Sequence, residues 1–197
     1  NRIGRIKRYG FVLEDTDEMA HRSGGKECEE CINVPQADFV AREEHTMALF
    51  QYMIGNADYN TGMMRNVKMV RTYTEGKVIP VPYDFDFAGL VDPSYAIPNS
   101  DYDLVSVKQR VFLGFKVDSA MLASTLQHFL DKRGELIEEV EDCKLLSRSG
   151  RSEVTRYLKT FFREAENILK GAPLRETLRM QALKDQPAGK GANEVRR

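Results

Sequence analysis

Apolar residues recur along this chain at two different periods, and the switch between them predicts the order of elements. Residues 5–15 gather Ile6, Phe11, Val12 and Leu13 into a run that predicts a strand. The polar run TDEMAHRSGGKECEECINVPQ then predicts a surface connection, with Gly24-Gly25 as its flexible point. Over 37–54, Val40, Met47, Phe50 and Ile54 recur at helical spacing, Arg42, Glu43 and Glu44 supply polar positions, and Gly55-Asn56 is a helix stop. Two β-rich runs, 66–73 and 77–81, flank Thr74-Glu75-Gly76 and predict a hairpin. Pro80 and Pro82 predict that its second strand is short or lies at a sheet edge.

Helical spacing dominates the rest. Residues 101–113 predict one helix, and Asp118 caps another whose Met121, Leu122, Thr125, Leu126, Phe129 and Leu130 form a stripe. His128 reads as a satisfied core histidine on that stripe. Leu136, Ile137 and Val140 mark a further segment. The clearest helix spans 152–170, with Val154, Tyr157, Leu158, Phe161, Phe162, Ala165, Ile168 and Leu169 on one face between Ser152 and Gly171. From Ala172 the pattern is lost, which predicts a mobile tail over 172–197. The fold class expected is α+β and mostly helical, a strand and a β-hairpin leading into a C-terminal helical bundle.

Composition narrows the function classes. The chain has 197 residues, 42% of them hydrophobic and 30% charged, which fits one globular domain. A formal charge of −1 gives no electrostatic reason to expect nucleic acid as a partner. No apolar run approaches the ~20 residues of a membrane-spanning helix. The chain begins with Asn and enters at once on a strand-like run, so it reads as a fragment and its localisation is unknown. Three cysteines are too few for a disulfide framework. Cys28-Glu-Glu-Cys31 has metal-ligand spacing, but a structural zinc needs four ligands and no second such pair exists.

The sharpest chemistry lies between Gly55 and Gly89, in GNADYNTGMMRNVKMV and KVIPVPYDFDFAGL. Asp58 sits in a polar loop after a helix, Asn66 opens a strand, and Asp84 and Asp86 follow one hairpin later. Asp84 and Asp86 alternate with Tyr83, Phe85 and Phe87, so strand periodicity puts both carboxylates on one face. Like charges so placed repel unless a cation or donor lies between them. The bland alternative is that Asp58 and its neighbours are turn residues bonded to local backbone.

This arrangement resembles the catalytic core of atypical kinases, in particular the HipA-like and CotH-like families of the protein-kinase-like fold. The resemblance implies a kinase-like large lobe over 37–171, with 1–36 supplying the end of the small lobe, the hinge and a connection. It implies ATP and Mg²⁺ (or Mn²⁺) as cofactors and phosphate transfer to a hydroxyl acceptor on a protein. Asp58 would be the base, while Asn66, Asp86 and Asp84 would hold the metal. Asp86-Phe87-Ala88-Gly89 looks like a stretched kinase Asp-Phe-Gly element, which makes Asp86 the first choice of the two carboxylates. FVLEDTDEMA resembles the end of the small lobe and the hinge, which implies nucleotide contacts at Glu14 and Asp15. Two departures stand out. No basic residue follows Asp58, where Tyr59 and Asn60 stand instead, and eight residues rather than five separate Asp58 from Asn66, with Asn60 a reserve ligand. They keep two other readings open: a pseudokinase that binds nucleotide or scaffolds without turnover, and a helical interaction protein.

Overall fold

The stretch read as a polar connection opens with a helix. In a computed structural model of the chain, which describes residues 10 and 12–171, α1 runs Thr16–Arg22 behind an Asp15 cap that accepts from the Asp17 and Glu18 amides. Most of the strand expected over 5–15 and the tail over 172–197 lie outside the described residues. The described end of that strand does not form: 12–15 make no ladder, and Val12 and Leu13 are exposed. Gly25 is not a flexible point either. It begins β1 (Gly25–Glu27), where a Cβ would collide with the Arg71 carbonyl of the neighbouring strand.

β1 pairs antiparallel with β2 (Val67–Thr72), and β2 pairs with β3 (Val78–Pro82), in the order β1-β2-β3. The hairpin closes where the Thr72 amide donates to the Lys77 carbonyl. β3 is the edge that Pro80 and Pro82 require, since proline has no N–H to donate to a further strand.

α2 (Ala41–Ile54) lies between this sheet and two helices, packing on β3, α3 (Ser119–Asp131) and α5 (Arg148–Leu169). It is buried nearly all round rather than along one stripe. Glu44, His45 and Gln51 are at most 2% exposed, so Glu44 is not on a polar face. Leu49, Tyr52 and Met53 meet Leu126, Phe129, Leu158, Phe161 and Phe162 in the main core. A second core under the sheet joins Phe39, Met47, Tyr59, Val67, Met69 and Val78.

α3 carries its expected stripe, but His128 projects from it into solvent. α4 (Arg133–Asp142) covers α5, which starts four residues earlier than predicted because Ser147, not Ser152, caps it. The helix expected over 101–113 is a single 3-10 turn, Ser100–Tyr102, followed by irregular chain. Asp103 has a left-handed backbone (φ 51), and Gln109 Oε1 captures the amides of Val105 and Ser106. Side chains that bond local backbone in this way compete with a helical ladder. No helix among the described residues is long and apolar enough to cross a membrane. The architecture is α+β, with five α-helices and one three-stranded antiparallel sheet among the described residues.

Candidate functional site

Asp58 is presented by a loop whose backbone is tied down on both sides. Gly55 ends α2, and the Asn56 amide then donates to the Gln51 carbonyl at 2.9 Å. Asn56 is 1% exposed; its Nδ2 donates to Gln51 Oε1 at 3.1 Å and its Oδ1 accepts from the Asp58 amide at 2.9 Å. Asn99 Nδ2 holds the Ala57 carbonyl at 3.1 Å. These bonds fix the backbone on either side of the residue, and the Asp58 side chain is left 35% exposed.

The chain between Asp58 and Asn66 closes on itself. Asn60 and Arg65 exchange two backbone hydrogen bonds of 3.0 Å each, which pinches residues 61–64 into a separate excursion. Asn60 Oδ1 accepts from the Met63 amide inside that excursion, so Asn60 braces the loop. Asn66 therefore returns to Asp58: its Nδ2 donates to the Asp58 carbonyl at 2.6 Å and to Asp58 Oδ2 at 3.1 Å. With Nδ2 so engaged, Oδ1 is the acceptor end of the amide. Arg65 comes back with it, Nε lying 3.5 Å from Asp58 Oδ1.

The paired carboxylates do not lie on a strand. β3 ends at Pro82, the Tyr83 amide caps it by donating to the Asn66 carbonyl, and Asp84 takes a left-handed backbone (φ 58). A turn thus brings Asp84 and Asp86 together in place of strand alternation. The Asp84 carboxyl is held above its ordinary pKa, first by loss of solvent, then by the hydrogen bond to and charge of Asp86, and further by the charge of Asp58. Asp86 Oδ2 accepts from the Tyr95 hydroxyl at 3.1 Å. Asn66 is also left-handed (φ 54), so two of the four residues hold a conformation that costs most side chains about 1–2 kcal/mol and Asn or Asp less.

The two loops are stapled to one another. The Gly89 amide donates to the Gly55 carbonyl at 3.0 Å and the Leu90 amide to the Ile54 carbonyl at 2.9 Å. Gly89 must lack a side chain, because a Cβ would strike the Val107 carbonyl, the Lys108 Cα and the Tyr157 hydroxyl. A cavity of about 250 Å³ opens beside Asp58 and Arg65, walled by Phe87, Ile97, Leu104 and Val107.

Asp58, Asn66, Asp84 and Asp86 thus share one locality through contact or charge, with Arg65 as the cation in contact. Glu14 and Asp15 do not join them through any hydrogen bond or ion pair among the described residues. Glu14 pairs with Arg22 at 2.6 Å, and Asp15 caps α1. Sequence reasoning missed Arg65, Tyr95 and Asn56. Arg65, which contacts Asp58, adjoins Asn66 in the chain and reaches Asp58 through the pinched loop. Among the described residues no group of three or more His, Cys, Asp or Glu is arranged to hold a metal; the oxygen set here is two carboxylates and an amide. Cys28 and Cys31 are joined to each other as a disulfide, 2% exposed, with Arg71 Nη2 3.2 Å from Cys31 Sγ.

Glu44 and His45 are further residues whose sequence reading the structure changes. Glu44 Oε1 accepts from the Phe115 amide at 3.2 Å, and burial pushes its pKa up to about 7. Burial pushes His45 down to about 4. The Tyr59 hydroxyl, also buried and without a partner, feels the charge of Glu44, so Glu44 lies near the residue that follows Asp58.

No protein-family model matches this chain, and no curated protein or solved structure matches it.

Proposed function

We propose that this chain is the large lobe of a kinase-like phosphotransferase that moves phosphate from ATP to a hydroxyl group on a protein. The carrying observation is the hydrogen bond between Asn66 and Asp58, with Asp84 close enough to feel the charge of both Asp86 and Asp58. Phosphoryl transfer asks a protein for positioning and charge neutralisation rather than covalent chemistry. The donors present fit Mg²⁺, which takes one or two carboxylates together with water and phosphate oxygens. Asp86 and Asp84 would hold it, with Asn66 Oδ1 as the neutral ligand. When bound, the ion neutralises charge on the transferred group.

The remaining roles belong to the chain's own side chains. Asp58 orients the acceptor hydroxyl and takes its proton. Arg65 holds its guanidinium against Asp58 where both line the cavity. Phe87 and Ile97 give the cavity an apolar side against which an acceptor side chain would rest. Asn56 and Gly89 act as positioning residues, the first by fixing the Asp58 amide and the second by joining the two carboxylate loops.

Phosphate incorporation by the full-length protein tests this reading. Asp86→Asn should abolish transfer and weaken nucleotide binding in Mg²⁺. Asp58→Asn should abolish transfer and spare binding, because a base acts mainly in the transition state. Lost base assistance alone is typically worth about 10²–10⁴ in rate. Wild-type protein that binds Mg²⁺ and ATP without transferring phosphate would leave a pseudokinase. Neither binding nor transfer would leave an interaction protein.

A further inference from the structure

Far from Asp58 in the sequence, α4 and the first half of α5 border a second, open cavity of about 480 Å³, lined by Arg148, Arg151, Arg156 and Lys159 together with Ser152, Thr155 and Glu141. Four cations thus face one carboxylate on a chain whose formal charge is −1. They recur at helical spacing on one face of α5, where mutual repulsion costs stability. Arg148 and Arg151 also occupy the first turns of this 22-residue helix, which has no acidic residue in its first turn. Cations there oppose the helix dipole, an arrangement that an anion would relieve. Arg148, Arg156 and Lys159 form no ion pair among the described residues. Arg151 donates through Nη1 to the carbonyls of Cys143 and Leu146, which holds the α4–α5 connection as one rim of the cavity.

A separate observation points to a missing ligand. Thr155 is 7% exposed and its hydroxyl has no hydrogen-bond partner. Two other helical threonines satisfy theirs on the preceding turn, Thr125 at the Met121 carbonyl (2.9 Å) and Thr160 at the Tyr157 carbonyl (2.7 Å). A buried hydroxyl left unpaired costs stability, and a bound oxyanion would accept from it.

We propose that the α4–α5 cavity is a binding site for a phosphate group, free or carried as a phosphomonoester on a protein side chain. Arginine forks and a lysine suit the tetrahedral oxygens, Thr155 and Ser152 add hydroxyl donors, and Glu141 limits the site to strongly charged anions. The site is independent of the Asp58 cluster and of the function proposed for it.

The test is a titration of the whole chain with inorganic phosphate, followed by amide NMR at constant ionic strength, with chloride as control. A phosphoserine peptide and its unphosphorylated twin form a second arm. Phosphate should shift the amides of 148–159, and Arg156→Gln with Lys159→Gln should weaken binding on the order of tenfold. Glu141→Gln should tighten it a few-fold. Thr155→Val should weaken it while leaving the phosphate-free unfolding midpoint unchanged or raised, since the hydroxyl has no partner to lose. Tighter binding of the phosphoserine peptide would assign the site to a protein partner, and tighter binding of phosphate to the free ion. Shifts spread evenly over the cationic surface, equal shifts with chloride, or wild-type affinity in all of these variants would overturn the proposal.

Discussion

Replacing Glu44 with Gln isolates the energetic consequence of burying a carboxyl on α2. Glu44 is 2% exposed, and its pKa stands at about 7 against an ordinary 4.5. The folded state therefore holds the proton more tightly than the unfolded one. That stability is fully present below about pH 4.5 and is lost as pH rises through about 7. At about 1.4 kcal/mol per unit, the shift is worth about 3 kcal/mol above neutrality. His45 works the other way. Its pKa is lowered to about 4 from 6.5, so its contribution is complete above 6.5 and is lost as pH falls through 4. Over the interval in which both titrate the two slopes oppose, and the wild-type curve should be nearly flat.

The Glu44→Gln side chain keeps the acceptor for the Phe115 amide but does not ionise. Its extra amide hydrogens introduce a constant cost, so the informative quantity is how the difference from wild type changes with pH. Urea unfolding at pH 5 and pH 8, at one ionic strength, measures it. The variant should gain about 2–3 kcal/mol relative to wild type between the two, and its own stability should rise with pH from 4 to 6.5 as His45 is unmasked. A difference between variant and wild type that is the same at both pH values would refute burial as the source of the shift.

Three further outcomes follow from contacts near the site. Gly89→Ala should destabilise the protein by about 2 kcal/mol or more in urea unfolding, since the added methyl meets backbone at Val107 and Lys108; an unchanged midpoint would contradict the close packing of the two loops. Arg110→Lys should cost about 2–3 kcal/mol by the same measurement, because one ammonium cannot replace the guanidinium bonds to the Met53 and Tyr157 carbonyls and to Thr160, nor its stacking 4.0 Å over Tyr157. Reducing the Cys28–Cys31 disulfide should cost about 2 kcal/mol for so short a loop. It should also shift the amides of Tyr59 and Met64, which share its core, and silence at those amides would show that the disulfide does not brace the loop.

What could be read from the chain in advance was whatever depends on local order. The β2–β3 hairpin, the stop at Gly55, the Asp118 cap and the apolar face of α5 all follow from residues within a turn or two of each other. What could not be read is set by distant partners. Glu44, His45 and Gln51 look like the polar side of a surface helix, yet α2 is enclosed by the sheet on one side and by α3 and α5 on others. β1 carries no apolar alternation, and only its pairing with β2 makes Gly25 a strand residue. The apolar spacing in 101–113 is helical, but Val111 and Phe112 are buried from irregular chain that Arg110 bolts to Met53 and α5.

Spacing within the Asp58 loop shows why sequence distance is a poor measure of a site. Eight residues from Asp58 to Asn66 count as a departure only if the chain between them runs open. Here the Asn60–Arg65 bridge removes residues 61–64 from the path, so the direct route runs through Tyr59, Asn60 and Arg65. That closure has two consequences, and they are coupled. It returns the Asn66 amide to Asp58, and it places a guanidinium against the carboxylate that no chain neighbour supplies. A loop without the excursion could meet Asp58 with Asn66 but would need its basic residue elsewhere. One bridge thus accounts for both contacts of Asp58, with Asn66 and with Arg65. The same neighbourhood reaches the acidic pair: Asp84 feels the charge of both Asp86 and Asp58, while Arg65 stands in contact with Asp58.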